Sequence, residues 1–276
     1  MSIAEKLTTV AQNVSRTHEV VDAYNANVSE NVTKINRRLL GNSYPEGGET
    51  LYEKAVEEGK TAEWNRFWDA FQLNGTRTNY ISAFYSAGVG SGGWNDEIFK
   101  PKYDIKLVGA CDSIFFRTDV TDFTKSGCGV DIDFSQATNF NSVFYASGVV
   151  TIGVLDLRNV TAVLKAFQYC NFLKTIEKII LKDDGSQSIE NSTFEWASEL
   201  EEIRFEGAIG SNINFQWQSK LSGASITSIV NALSPTASGK TATFKQIAVM
   251  SNIGSPYEQE WLDLVATKPN WTISLV

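Results

Sequence analysis

A phenylalanine-led motif recurs along the second half of this chain, and no other feature constrains the fold as much. Phe144-Tyr-Ala-Ser-Gly-Val-Val150, Phe167-Gln-Tyr-Cys-Asn-Phe-Leu173, Phe194-Glu-Trp-Ala-Ser-Glu-Leu200 and Phe215-Gln-Trp-Gln-Ser-Lys-Leu221 align on their first residue. Each carries a smaller residue three positions on (Ser147, Cys170, Ala197, Gln218) and an aliphatic residue six on. In the middle two, Ile176 and Ile203 follow, then the strand-like runs Ile179-Ile-Leu181 and Ile203-Arg-Phe205. Phe116, with the alternating stretch Val130-Asp-Ile-Asp-Phe134, reads as a degenerate earlier copy. The phenylalanines at 116, 144, 167, 194 and 215 are 28, 23, 27 and 21 residues apart. A unit this short cannot bury its apolar face alone, so neighbouring units must stack. The spacing falls in the window of leucine-rich solenoids, while propeller blades are longer and need four strands each.

Ahead of the repeats the pattern changes. Over residues 1–40, Leu7, Val14, Val21, Val28 and Ile35 occupy one seam position, and Ile3, Val10, Thr17, Tyr24 and Asn31 the other. Alternating steps of four and three average 3.5 residues, the period that keeps a seam facing a partner helix. The expectation is an oligomerising coiled coil through Leu7, Val10, Val14, Val21, Val28 and Ile35; the alternative is an amphipathic helix packed on its own chain. Residues 41–49, with three glycines and Pro45, form a linker. Residues 50–100 begin with a Thr50/Glu53 capping box and a helix to about Gln72, and end in a connecting loop. Residues 101–276 make the solenoid, closed by helices at 225–233 and 256–265 and a strand at 271–276. The expected class is α+β: a helical, coiled-coil N-terminal region followed by a leucine-rich-repeat solenoid.

Chemistry is scarce. Lys plus Arg number 24 against 32 Asp plus Glu, a net charge of −8, which does not suit a phosphate-tracking surface, so no nucleic-acid partner is expected. One histidine (His18) and three scattered cysteines (Cys111, Cys128, Cys170) offer no zinc site, disulfide framework or Ser-His-Asp triad. Ser238-Gly-Lys-Thr241 lacks the leading glycine of a phosphate-binding loop, since position 234 is serine. Asp131 and Asp133 alternate along a strand and share a face, a pair that could serve glycoside chemistry but reads as a wet strand face. No catalytic residue, metal or cofactor is assigned. Residues 1–20 lack the apolar run of a secretory leader, so none is expected, and no apolar run is long enough to insert in a membrane.

One feature fits neither core nor turn. Two residues beyond the repeat phenylalanines stand Tyr169, Trp196 and Trp217. If the phenylalanine segment were a helical turn, this position would lie about 200° from the core. Tyr169, Trp196 and Trp217 then form an aromatic contact surface, unless another segment or subunit covers them.

The Phe-x-x-[Cys/Ala]-x-x-Leu-x-x-Ile unit resembles the BspA-like (treponemal) leucine-rich repeats. The opening Met1-Ser-Ile-Ala-Glu-Lys-Leu-Thr-Thr-Val10, the stretch Arg66–Tyr80 and the closing Asn270-Trp-Thr-Ile-Ser-Leu-Val276 are similar to a group of Firmicutes prophage proteins carrying such repeats. The resemblance implies a non-enzymatic virion protein, made in the host cytoplasm, of the tail fibre or baseplate. Its expected partners are further copies of itself, with a trimer favoured, other tail or baseplate proteins, and a host-surface glycan or protein. A purely structural connector is the second reading and a glycan-degrading enzyme the third.

Overall fold

The structure is a computed structural model, and it describes residues 83–84, 94–96, 99, 101, 103–254 and 258–276. The heptads of 1–40, with Leu7, Val10, Val14, Val21, Val28 and Ile35, the linker 41–49 and the helix expected from Thr50 lie outside the described residues. The described chain runs β1 (Ile105–Gly109), β2 (Asp122–Phe123), α1 (Lys125–Cys128), β3 (Ile132–Ala137), β4 (Thr151–Asp156), β5 (Ala162–Val163) and β6 (Thr175–Ile180). It continues through β7 (Ser188–Ile189), β8 (Glu202–Glu206), β9 (Ile213–Phe215), α2 (Gly223–Ala232), β10 (Lys240–Phe244), α3 (Gln246–Asn252), α4 (Gln259–Ala266) and β11 (Trp271–Leu275).

Every strand pairing among these is parallel. Parallel neighbours require the chain to travel away and return between them, and here paired residues lie 24 to 31 positions apart. The principal sheet has the order β2-β4-β6-β8, with Ile152 opposite Ile176 and Ile176 opposite Ile203, so one aliphatic from each winding lines up inside. On a second side lie the pairs β1-β3 and β5-β7 and the three-stranded β9-β10-β11 sheet. Between these sides runs a column of phenyl rings: Phe84, Phe115, Phe144, Phe167, Phe194, Phe215 and Phe244. Successive centroids are 4.9–6.0 Å apart and successive planes lie within 5–25° of parallel. All seven rings are buried, Phe194 the least so at 2%. Each buries a large apolar area and gains offset-stacking energy from the winding on either side.

The expected α+β chain, a coiled coil with a leucine-rich-repeat solenoid, is not what these residues form. They are mostly short parallel strands with few short helices, the longest of ten residues. The physical reason lies in the phenylalanine segments, expected as helical turns. They close through consecutive i→i+3 bonds, such as Tyr145 N to Ser142 O (3.2 Å) and Ser147 N to Phe144 O (3.1 Å). Two residues beyond the phenylalanine the backbone is left-handed, with φ of 55° at Arg117, 52° at Ala146, 62° at Tyr169 and 63° at Trp196. An α-helix cannot accommodate that residue. The alignment is corrected as well: the earlier copy is anchored by Phe115 in the column, not by Phe116 on its outside.

The last strand of the principal sheet is finished by a helix. Ser225 and Ser228 of α2 accept hydrogen bonds from the Ile203 and Phe205 amides, both at 2.9 Å. Two hydroxyls thus replace a neighbouring strand and close an edge that would otherwise recruit another chain.

Candidate functional site

The left-handed turns create the most distinctive surface. A non-glycine residue in that conformation is strained by about 1–2 kcal/mol. The strain is offset where the amide bonds the next winding: Arg117 N to Tyr145 O (2.9 Å), Ala146 N to Gln168 O (2.8 Å) and Tyr169 N to Glu195 O (2.8 Å). The same geometry swings the side chain two positions past the phenylalanine away from the column. Tyr169 is 40% exposed, Trp196 41%, and Trp217 half-buried. Of the expected contact residues Tyr169, Trp196 and Trp217, the first two therefore rest on a different backbone geometry from the helical turn that motivated them, while Trp217 does not share the left-handed conformation.

Trp196 and Trp217 come together, stacked at 4.1 Å with planes 24° apart. Tyr169 is in edge contact with Tyr145 at 5.5 Å, and Tyr145 stacks on Phe116 at 4.9 Å. The Arg117 guanidinium sits 5.4 Å from the Phe116 centroid, a cation–π contact at the far end of the row. Phe172, 55% exposed, lies three residues past Tyr169. Tyr145 was missed in the sequence because it stands one residue, not two, beyond its anchor, and Phe116, in the same place beyond Phe115, was taken for an anchor itself. The doublet Phe115-Phe116 carried the signal, since aligning on Phe115 places the small buried Thr118 three residues on.

Stacking decides what the row can offer. The Trp196–Trp217 stack occupies one face of each indole, and the rest of Trp196, 41% exposed, is apolar surface left for a partner. Neighbouring charges are paired: Lys220 bonds Glu199 at 2.6 Å, which raises the lysine pKa, chiefly through that hydrogen bond.

Beneath the row the small positions are core. Cys170 Sγ donates to Phe144 O at 2.8 Å, and burial pushes its thiol up to about 12. Gln218, wholly buried, donates from Nε2 to Phe194 O (2.7 Å) and Ala197 O (3.1 Å), stitching its winding to the previous one. The Asp131/Asp133 pair lies elsewhere, on the wall of a cleft between β3 and β4. There Asp131 is ion-paired with Lys125, raising the lysine pKa through their hydrogen bond, and Asp133 Oδ1 accepts from Ser135 N at 2.7 Å. Among the described residues no three metal-ligating side chains gather, and no helix is long and apolar enough to cross a membrane. No protein-family model matches the chain, and no curated protein or solved structure proves similar to it.

Proposed function

We propose that the protein is a non-enzymatic component of a phage or prophage particle, a tail-fibre or baseplate element whose aromatic row contacts the host surface. The observation carrying the contact role is that Tyr169 and Trp196 are 40% and 41% exposed, in register, while the phenylalanines of the same turns fill the core. Aromatic surface held in water along one line favours a partner that covers it. The particle setting, virion location included, rests on the resemblance of the opening and closing stretches of the sequence. In that setting the chain works as a homo-oligomer, a trimer first, beside other tail or baseplate proteins. Several copies multiply a weak single contact with a surface glycan or protein.

The double substitution Trp196→Ala plus Trp217→Ala tests the reading. It removes exposed area without emptying the column, so the melting temperature stays within a few degrees of wild type while binding of the purified protein to susceptible cells is lost. The mutual stack of Trp196 and Trp217 also favours a second reading, a structural connector that packs on a neighbouring particle protein. In that case cell binding survives and incorporation into the particle fails. Unfolding of the variant would place the tryptophans in the core and end both readings.

A further inference from the structure

Away from the aromatic row, and independent of its function, we propose that the cleft between β3 and β4 binds an extended basic peptide segment of a partner protein. Strand β4 is paired along its whole length with β6, from Thr151 opposite Thr175 to Asp156 opposite Ile180. On its other side β2 pairs only with Thr151 and Ile152, because the chain then turns away into α1 at Lys125. Gly153 to Leu155 therefore border the cleft with no strand beside them on that side among the described residues. Backbone amides and carbonyls at such an edge are a template for one more strand.

The space beside this edge is built for a ligand. It measures about 540 Å³, inside the roughly 300–1,000 Å³ range of ligand-sized clefts. Its floor is apolar, from Phe134, Phe144 and Leu155. Three residues of strand, about 10 Å long, match the stretch of β4 that lines the cleft. Gly153 keeps the approach to the backbone clear. A Cβ there would lie 3.6 Å from Phe123 O, 3.7 Å from Thr124 Cα and 3.9 Å from Glu177 Oε2, ordinary contacts, so added bulk projects among groups that line the cleft.

Charge selects the occupant. Four charged residues line the cleft, Lys125, Asp131, Asp133 and Glu177. Lys125 and Asp131 are ion-paired, which leaves Asp133 and Glu177 as the net charge of the lining, with one Asp133 oxygen accepting from Ser135 N. An alternating segment with Lys or Arg toward these two and small aliphatics toward the floor satisfies edge, floor and rim together.

The test uses the full chain and a fluorescein-labelled, terminally blocked Lys-Val-Lys-Val-Lys peptide, followed by fluorescence anisotropy. Saturable binding is expected. It should fall by about tenfold or more when alternate peptide amides are N-methylated, which removes the strand-pairing donors, and when glutamates replace the lysines. Gly153→Val should abolish binding with an unchanged melting temperature, and Glu177→Lys should weaken it about tenfold. In the wild type, peptide should slow hydrogen exchange at 153–156, a readout that stands even if a variant fails to fold. Absence of saturable binding, or equal affinity of the N-methylated peptide, of Gly153→Val or of the acidic peptide, would overturn the proposal. So would an unchanged exchange rate at 153–156 in the saturated complex.

Discussion

Cys170 shows how much one position in the turn is worth. It sits where Ser147 and Ala197 sit in neighbouring windings, wholly buried, with its thiol proton held by Phe144 O at 2.8 Å. The thiol titrates near 9 when exposed and near 12 in the fold, the main cause being desolvation. Between those values the unfolded chain releases a proton that the folded chain keeps. This contribution is therefore complete below pH 9 and declines as pH rises toward 12. Cys111, pushed up to about 12 by burial and then by Asp112, adds to the same decline. Urea melts on either side of pH 9 should show Cys170→Ala losing less stability on alkalinisation than wild type, after a neutral-pH cost of about 1 kcal/mol for the missing hydrogen bond. Equal losses in the two proteins would mean that the thiol ionises in place. That Cys170 is core was legible in the sequence, because the smaller residue recurs three positions beyond each anchor. The left-handed backbone one residue earlier was not. Arg117, Ala146, Tyr169 and Trp196 include no glycine or asparagine, the residue types that ordinarily announce such a turn.

At the scale of elements, the informative case is the edge of β8, where a helix does a strand's work. Ser228 Oγ receives the Phe205 amide at 2.9 Å, and Ser225 Oγ receives the Ile203 amide while also donating to Glu201 O at 3.1 Å. Ser228→Ala leaves the Phe205 amide without its acceptor at a half-buried edge, which should cost about 1 kcal/mol in urea melts and speed exchange of that amide. A variant as stable as wild type, with unchanged exchange, would show that water serves the edge equally well. Nothing in the sequence marked these serines, since a hydroxyl on a helix face looks like a solvated one until its neighbour is known. Strand runs were easier to see: the alternation in Ile203-Arg-Phe205 and the aliphatic run Ile179-Ile-Leu181 follow from burying one face. The helical reading of the phenylalanine segments failed because four-residue apolar spacing fits an α-turn and a left-handed double turn alike, and only the hydrogen bonds separate them.

Across the whole molecule the phenyl column is the feature that joins windings otherwise held by short strands, two of them only two residues long in the β5-β7 pair. The outermost rungs among the described residues, Phe84 and Phe244, were not read from the sequence, although Phe84-Tyr-Ser-Ala-Gly-Val nearly repeats Phe144-Tyr-Ala-Ser-Gly-Val. Phe244 opens no repeat because its chain continues directly toward α3. In a linear stack each winding feels only its neighbours, so the place of a defect matters as much as its size. Phe167 is stacked on both sides, against Phe144 at 5.8 Å and Phe194 at 5.3 Å. Phe244 is stacked on one side only, against Phe215 at 6.0 Å, with Trp261 edge-on at 6.2 Å. Both truncations to alanine should cost about 3–5 kcal/mol as buried aromatics. They should differ in cooperativity. Phe167→Ala severs the column in its middle, so the halves unfold less nearly together and the denaturant slope falls. Phe244→Ala removes a terminal rung, so the midpoint shifts with the slope retained. Urea melts of the two variants, followed by far-ultraviolet circular dichroism, make the comparison. An undiminished slope for Phe167→Ala would assign the coupling between windings to the parallel strands rather than to the rings.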